Sequence, residues 1–273
     1  MGLSKSSIYH PYIEVNEFKD SVQVCFGGLR VKPGKSSSRG RITEWSRKSQ
    51  KHMNLALREV KDIMKNMVRL SYPADFPCDG RIVAKHRDVF LKRLRRRGIR
   101  YFWWLEFQER GAPHLHLFID KDIPKEELSR IWFDVVGSGD LNHLAYGTRI
   151  GKIRSKEKAI GYAMSYAKKE SQKVVPDGYE NVGRFWGTSE KIKPVGVYKL
   201  KFNNENERAR WLRPLRKWYQ AKMKEWSLKT GKRYKWRMRN QGFMVWDGRE
   251  AWEQFINQKI QDKEKEPCQK EAG

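Results

Sequence analysis

"YFWWLEFQERGAPHLHLFID", residues 101–120, decides how this chain folds. Two runs rich in aromatic and branched residues flank "RGAP", a turn signature, so the stretch reads as a β-hairpin. In a strand, residues i and i+2 share a face about 6.6 Å apart. His114 and His116 therefore look to one side while Leu115 and Leu117 enter the core. On the partner strand Glu106 shares parity with Trp104 and Gln108, and a tight turn places a carboxylate beside the two imidazoles. Two nitrogens and one oxygen leave coordination positions open, which serves catalysis better than structure. Such a donor set suits Mn²⁺ or Mg²⁺ with bound waters, and zinc also fits. Gln108 and Glu109 are the alternative third ligands.

Outward from the hairpin, strands and helices alternate. "VRLSY" (68–72) reads as a strand stopped by Pro73, and "RIVAKHRDVFLKRLRRRG" (81–98) as an amphipathic helix ended by Gly98. "KEELSRIWFDVV" (125–136) follows Pro124 as a helix, "YGTRIGKIRS" (146–155) is a short strand, and "EKAIGYAMSYAKKESQK" (157–173) is a helix. A hairpin inside such an alternation predicts an α+β fold, an antiparallel or mixed sheet with helices packed on it. Upstream, residues 9–31 alternate as a hairpin, "KPGKSSSRGR" (32–41) is a polar loop, and Ile42–Met67 carries a helical period. Downstream, 205–226 reads as a basic helix despite Pro214, "YKWRMRNQGFMVWDG" (234–248) as a small hairpin, and the end of the chain as a disordered tail. The division expected is an N-terminal basic extension (1–66), a central domain (67–203), a basic helical and hairpin C-terminal region (204–260) and a tail (261–273).

Composition names the partner class. Across 273 residues, 58 Lys and Arg stand against 32 Asp and Glu, a formal charge of +26 spread along the chain. Such self-repulsion stabilises nothing by itself and fits a polyanionic partner. Eleven Trp, eleven Tyr and twelve Phe interleave with the cations, and aromatic faces with phosphate-tracking charges suit single-stranded nucleic acid. Cys25, Cys78 and Cys268 are too scattered for a zinc knuckle and fit reduced thiols in a cytoplasmic protein. No apolar run approaches 18 residues and no secretory leader is legible, so no membrane partner is expected. "GTRIGKI" (147–153) lacks the glycine spacing and the Ser or Thr of a phosphate loop, so any helicase is a separate protein. His10, His52, His86 and His143 have no partner at ligand spacing.

The helix 157–173 offers a nucleophile. Tyr162 and Tyr166, four apart, share a face that Lys169 and Lys173 continue, while Ile160, Met164 and Ala167 lie opposite. A phenol with pKa near 10 is a weak nucleophile at neutral pH. It attacks a phosphodiester when a divalent cation polarises the phosphate and a lysine balances the charge.

With these residues assembled, the chain resembles the rolling-circle replication initiators, HUH endonucleases of the two-tyrosine phage and plasmid type. "VRLSYP" (68–73) resembles the family's first motif, "PHLHLFI" (113–119) its metal motif and "YAMSYAKK" (162–169) its tyrosine motif; "GRFWGTS" (183–189) resembles a stretch that follows the tyrosines in phage replication proteins. The resemblance implies an RRM-like sheet, the HUH endonuclease fold, with the histidines on a central strand. It also implies His114, His116 and Glu106 as ligands of Mg²⁺ or Mn²⁺, and nicking of single-stranded or hairpin origin DNA to leave a 5′-phosphotyrosine and a free 3′-OH. Implied partners are a host helicase, polymerase and single-strand binding protein. Family members commonly place a lysine three residues after each tyrosine. Tyr166 has Lys169 there but Tyr162 has Ser165, so Tyr166 is expected to cut first and Tyr162 to transfer the strand. A two-tyrosine single-strand transposase would share this site, and a non-catalytic single-strand binding protein would share the charge and the aromatics without needing the tyrosine and lysine stripe.

Overall fold

The computed structural model describes residues 11–19, 21–27, 42–168, 174–231, 242–246 and 249–264. The chain divides into two compact units, residues 36–192 and residues 1–35 with 193–273. Numbered in chain order, the strands are β1 (Tyr12–Glu17), β2 (Ser21–Gly27), β3 (Asn66–Ser71), β4 (Tyr101–Phe107), β5 (Pro113–Ile119), β6 (Thr148–Lys152), β7 (Trp186–Thr188), β8 (Gly196–Lys201) and β9 (Gly242–Trp246). The helices are α1 (Arg47–Val60), α2 (Gly80–Arg96), α3 (Lys125–Val136), α4 (Leu141–Tyr146), α5 (Lys156–Lys168), α6 (Glu205–Thr230) and α7 (Arg249–Glu264).

The unit 36–192 is built on a five-stranded sheet in the order β6-β3-β5-β4-β7, antiparallel throughout. From β3 to β6 the chain runs strand, helix, strand, strand, helix, short helix α4, strand, and it places the fourth strand beside the first and the third beside the second. That is the split βαβ arrangement of RRM-like domains. The expected α+β architecture, with the histidine strand at the centre, is what the chain adopts. The β4–β5 hairpin closes as its turn chemistry requires. Gly111 takes a positive φ of 79°, its N–H donates to the Gln108 carbonyl at 2.8 Å, and Gln108 N–H donates to the Ala112 carbonyl at 3.0 Å.

Both faces of this sheet are covered, which is why β4 is buried along its whole length. On the face of Trp103 and Leu117 lie α2 and α3. The Arg87 guanidinium sits 4.2 Å over the Trp103 ring, and Phe90 of α2 meets Trp132 of α3 edge-on at 5.7 Å. The Trp132 indole N–H donates to the Ser71 carbonyl at 2.9 Å, so a fully buried ring keeps its donor satisfied. On the histidine face lie α1 and α5, whose apolar residues Leu57, Val60, Ala159 and Ile160 surround Phe118. The Trp186 indole donates to Ser49 Oγ of α1 at 3.0 Å.

The second unit carries a four-stranded antiparallel sheet, β8-β1-β2-β9. Ile13, Val15, Val22 and Val24 point to one side and meet Leu212 and Leu215 of α6 and Trp252 of α7. Asn204 caps α6 by accepting from Glu207 N–H, and Glu207 in return accepts from Asn203 N–H. The helix continues through Pro214 to Gly231, a left-handed stop with φ 66°.

Several sequence boundaries move. The helical period over Ile42–Met67 yields a helix only over Arg47–Val60, because from Asn66 the chain joins the sheet and Met67 lies opposite Phe118. The segment 1–66 is not one extension: its hairpin belongs to the smaller sheet, while α1 packs on the larger one. β8, expected inside a central domain ending at 203, pairs with β1 instead. Of the hairpin expected over 234–248, residues 234–241 and 247–248 lie outside the described residues, and Gly242–Trp246 pairs with β2. α7 runs on to Glu264 within the expected tail, whose remainder lies outside the described residues.

Candidate metal centre and active site

The register of β4 on β5 sets Glu106 directly opposite His114 and Trp104 opposite His116. Directly opposed residues in an antiparallel pair share a face, with Cβ atoms about 5 Å apart. All three candidate ligands are thereby delivered to one point by strand geometry alone. His114 Nδ1 lies 2.9 Å from Glu106 Oε1, His116 Nε2 contacts the same oxygen, and the two imidazole nitrogens stand 3.2 Å apart. One ligand atom from each residue falls within 4.8 Å of the others. Below them the Trp104 indole stacks on His116 at 4.9 Å and 12°, a flat floor that holds the imidazole plane.

The electrostatics suit a cation. Burial pushes His116 below the ordinary imidazole pKa, so its ring is neutral at neutral pH. Burial alone would raise Glu106, but hydrogen bonds from His114 and His116 outweigh it and bring the carboxyl below its usual range. The result is a carboxylate and a neutral imidazole aimed at one point, with Glu106 Oε2 buried and without a hydrogen-bond partner among the described residues. A carboxylate and two imidazole nitrogens brought to one point, beside an unsatisfied buried oxygen, are what a divalent cation satisfies. The other candidate ligands stand apart from this point. Gln108 Oε1 accepts from Arg110 Nε at 3.0 Å, and Glu109 is exposed on the turn.

Tyr162 sits on α5 with its ring centroid 6.1 Å from that of His116, half-buried against the sheet. Ser155 caps this helix by accepting from Lys158 N–H, and Ala163 is the buried anchor beside Tyr162. Tyr166 lies one turn further on in α5; its side chain, and Lys169 and Lys173 entirely, lie outside the described residues. Ser165 occupies the position where a lysine was expected. Its hydroxyl donates to the Tyr162 carbonyl at 2.7 Å and so serves the helix backbone. The four histidines set aside earlier have other environments. His143 is bound between Ser138 Oγ and the Ser71 carbonyl, His86 contacts the Tyr72 hydroxyl, His52 is exposed, and His10 lies outside the described residues.

Sequence reading passed over Trp104 as a ligand support, although its parity with Glu106 pointed to it. It also passed over Arg69, whose neighbour across the strands is visible only once β3 is registered on β5.

Residues 65–171 match the family model of the replication-associated protein ORF2/G2P. Among curated proteins, the replication-associated protein G2P of Pseudomonas phage Pf3 is 31% identical over 114 residues, which cover 38% of this chain and 41% of that protein. The match thus spans less than half the length of the curated relative. The N-terminal nuclease domain of minute virus of mice non-structural protein 1 is matched over 71% of this chain and 72% of that one, at 9% identity and a TM-score of 0.16, too slight a likeness to place any residue. No described helix is long and apolar enough to cross a membrane. The motif order, the family model and the phage relative point the same way: residues 65–171 are similar to the replication-associated proteins of the ORF2/G2P type, and this similarity supports a rolling-circle initiator.

Proposed function

We propose that this chain nicks and rejoins single-stranded or hairpin origin DNA by tyrosine attack at a divalent-cation site. The observation that carries the reading is the convergence of Glu106, His114 and His116 beneath a tyrosine of α5. A bound Mg²⁺ or Mn²⁺ would polarise the scissile phosphate there and offset its developing charge. Glu106, His114 and His116 would hold the cation, and Trp104 stacks on His116 and keeps its ring in plane. Tyr166 supplies the first phenol oxygen, which bonds to phosphorus while the P–O3′ bond breaks. The phenolic proton is lost, the departing 3′ oxygen gains one, and the products are a 5′-phosphotyrosine and a free 3′-OH. Lys169, three residues on, balances the charge of the attacking phenolate. The ester preserves the energy of the broken bond. Tyr162, one helical turn away, can therefore cut a regenerated origin while the displaced 3′-OH attacks the first ester and closes a circle. Host helicase, polymerase and single-strand binding protein complete the replication cycle in the cytoplasm of the host.

The test is a denaturing gel with labelled single-stranded DNA containing the origin, in Mn²⁺. The wild type should give a covalent protein–DNA band. Tyr166→Phe should lose most of it, and Tyr162→Phe should keep the first cut but fail in strand transfer. The reverse pattern inverts the assignment, and wild-type turnover by either single variant ends the two-nucleophile mechanism.

A further inference from the structure

The sheet face that carries the metal ligands also carries an unexplained pair of arginines. Arg69 of β3 lies directly opposite His116 on one side and opposite Arg149 of β6 on the other. Trp104 and Trp186 continue the same row beyond His116. One row on this face therefore reads Arg149, Arg69, His116, Trp104, Trp186, because directly opposed residues in antiparallel strands point the same way. Like charges placed directly opposite each other destabilise a sheet pair. Arg69 is half-buried and Arg149 exposed, and neither has an ion pair or hydrogen bond among the described residues. Five of the arginines on and around α2 are arranged differently. Arg81, Arg87, Arg93, Arg97 and Arg100 each meet an acid, respectively Asp79, Asp88, Asp134, Glu127 and Asp120. Glu106, the acidic ligand on the Arg69 side of the sheet, is already engaged by both histidines. Two guanidiniums kept together without a carboxylate, one of them beside a metal ligand, call for an anion supplied from outside.

We propose that Arg69 and Arg149 form a phosphate subsite that grips the backbone of single-stranded DNA next to the cleavage centre. The proposal rests on the nicking function above and adds to it the path of the substrate strand. Guanidinium forks pair with phosphate oxygens through two parallel N–H donors, which fixes orientation as well as charge. Adjacent strands are about 4.8 Å apart, so β6 lies about 10 Å from β5. At about 3.4 Å per stacked nucleotide, the stretch from Arg149 to His116 covers roughly three nucleotides. The DNA would run across the strands, its phosphates held at the arginine end and the scissile one at Glu106, His114 and His116. Arg69 and Arg149 act here as positioning residues.

The experiment uses the full chain and fluorescein-labelled dT12 with Mn²⁺, its affinity measured from about 50 to 200 mM salt. Arg69→Gln and Arg149→Gln should each weaken binding several-fold and reduce the log–log salt slope by about 0.7, the value for one single-strand phosphate contact. Mn²⁺ binding, followed by electron paramagnetic resonance, should be unchanged in both. Lys92→Gln, which removes one exposed charge from α2, should leave the slope as it is. Equal slopes for wild type and both arginine variants would overturn the subsite, as would an equal loss in Lys92→Gln or a loss of Mn²⁺ from Arg149→Gln. Because Arg149 is exposed, its variant keeps the test open if Arg69→Gln fails to fold. The two readings separate cleanly. A wild type that forms no covalent adduct but shows these slopes removes nicking and leaves the subsite; one that forms the adduct but whose slopes ignore both arginines removes the subsite and leaves nicking.

Discussion

At the scale of single residues, protonation decides what the centre can do. Glu106 is held ionised and His116 neutral, so His116 need shed no proton before a cation binds. Mn²⁺ should therefore raise the thermal midpoint of the wild type, by the equivalent of about 2.7 kcal/mol at a hundredfold excess over Kd. Glu106→Gln should abolish that rise in a melting experiment; an undiminished rise would show that the cation binds elsewhere. His143 gives a second, independent expectation. Its Nε2–H donates to the Ser71 carbonyl at 3.0 Å and its Nδ1 accepts from Ser138 Oγ at 2.8 Å, a fully bonded neutral tautomer. Burial lowers its pKa below the ordinary 6.5, and burial lowers His86 likewise. As pH falls, the unfolded chain takes up these protons first. Stability is therefore complete above about pH 6.5 and declines as pH drops through the folded-state values. Denaturant midpoints between pH 7.5 and 5 should show this slope, and His143→Asn should flatten it.

At the scale of elements, the start of α2 is tied to a distant segment. Asp79 caps the helix by accepting from Arg81 N–H at 2.9 Å, and hydrogen bonds from Arg81 bring its carboxyl to about 2. Gly80 N–H donates to the Glu180 carbonyl at 2.8 Å, and a Cβ on Gly80 would lie 2.3 Å from the Asn181 carbonyl oxygen. Alanine is the better helix former by about 1 kcal/mol, yet the atoms it would strike are backbone, so the chain itself would have to shift. Gly80→Ala should cost about 1–3 kcal/mol in chemical denaturation; a gain in stability would mean that the 179–182 segment is free to move aside. Residue patterns tell a helix from a strand more readily than they tell where one stops. Met67 continues the three-and-four spacing of α1, but its backbone pairs with both β5 and β6, and long-range hydrogen bonding overrode the local period.

At the scale of the whole molecule, a charge of +26 sets the response to salt. Affinity for single-stranded DNA should fall linearly on a log–log plot, and stacking on unpaired bases should favour single strands over blunt duplex. Filter binding across salt concentrations checks both, and a flat response would contradict the polyanion reading. Local patterns could not foresee the division of the chain. The hairpin of residues 12–27 and the segments after 193 form one sheet although more than a hundred residues separate them. A sheet edge finds its partner by matching pleat and apolar face, and nothing in a sequence window marks the distant strand that will supply it.

The sequence by itself determined the hairpin, its turn, the pairing of two histidines with a carboxylate on one face, and the helix that carries the tyrosines. Each follows from a strict local period: two residues for a strand, about 3.6 for a helix. The tertiary structure decided what those periods leave open. It set Glu106 rather than Gln108 or Glu109 at the focus of the imidazoles, because only Glu106 is registered opposite His114. It laid Trp104 flat under His116, brought Arg69 and Arg149 into the same row, and drew β8 away from the domain to which its place in the chain assigned it. Register and strand partnership come from hydrogen bonds between segments far apart in the chain, so they exist only once the sheet has formed.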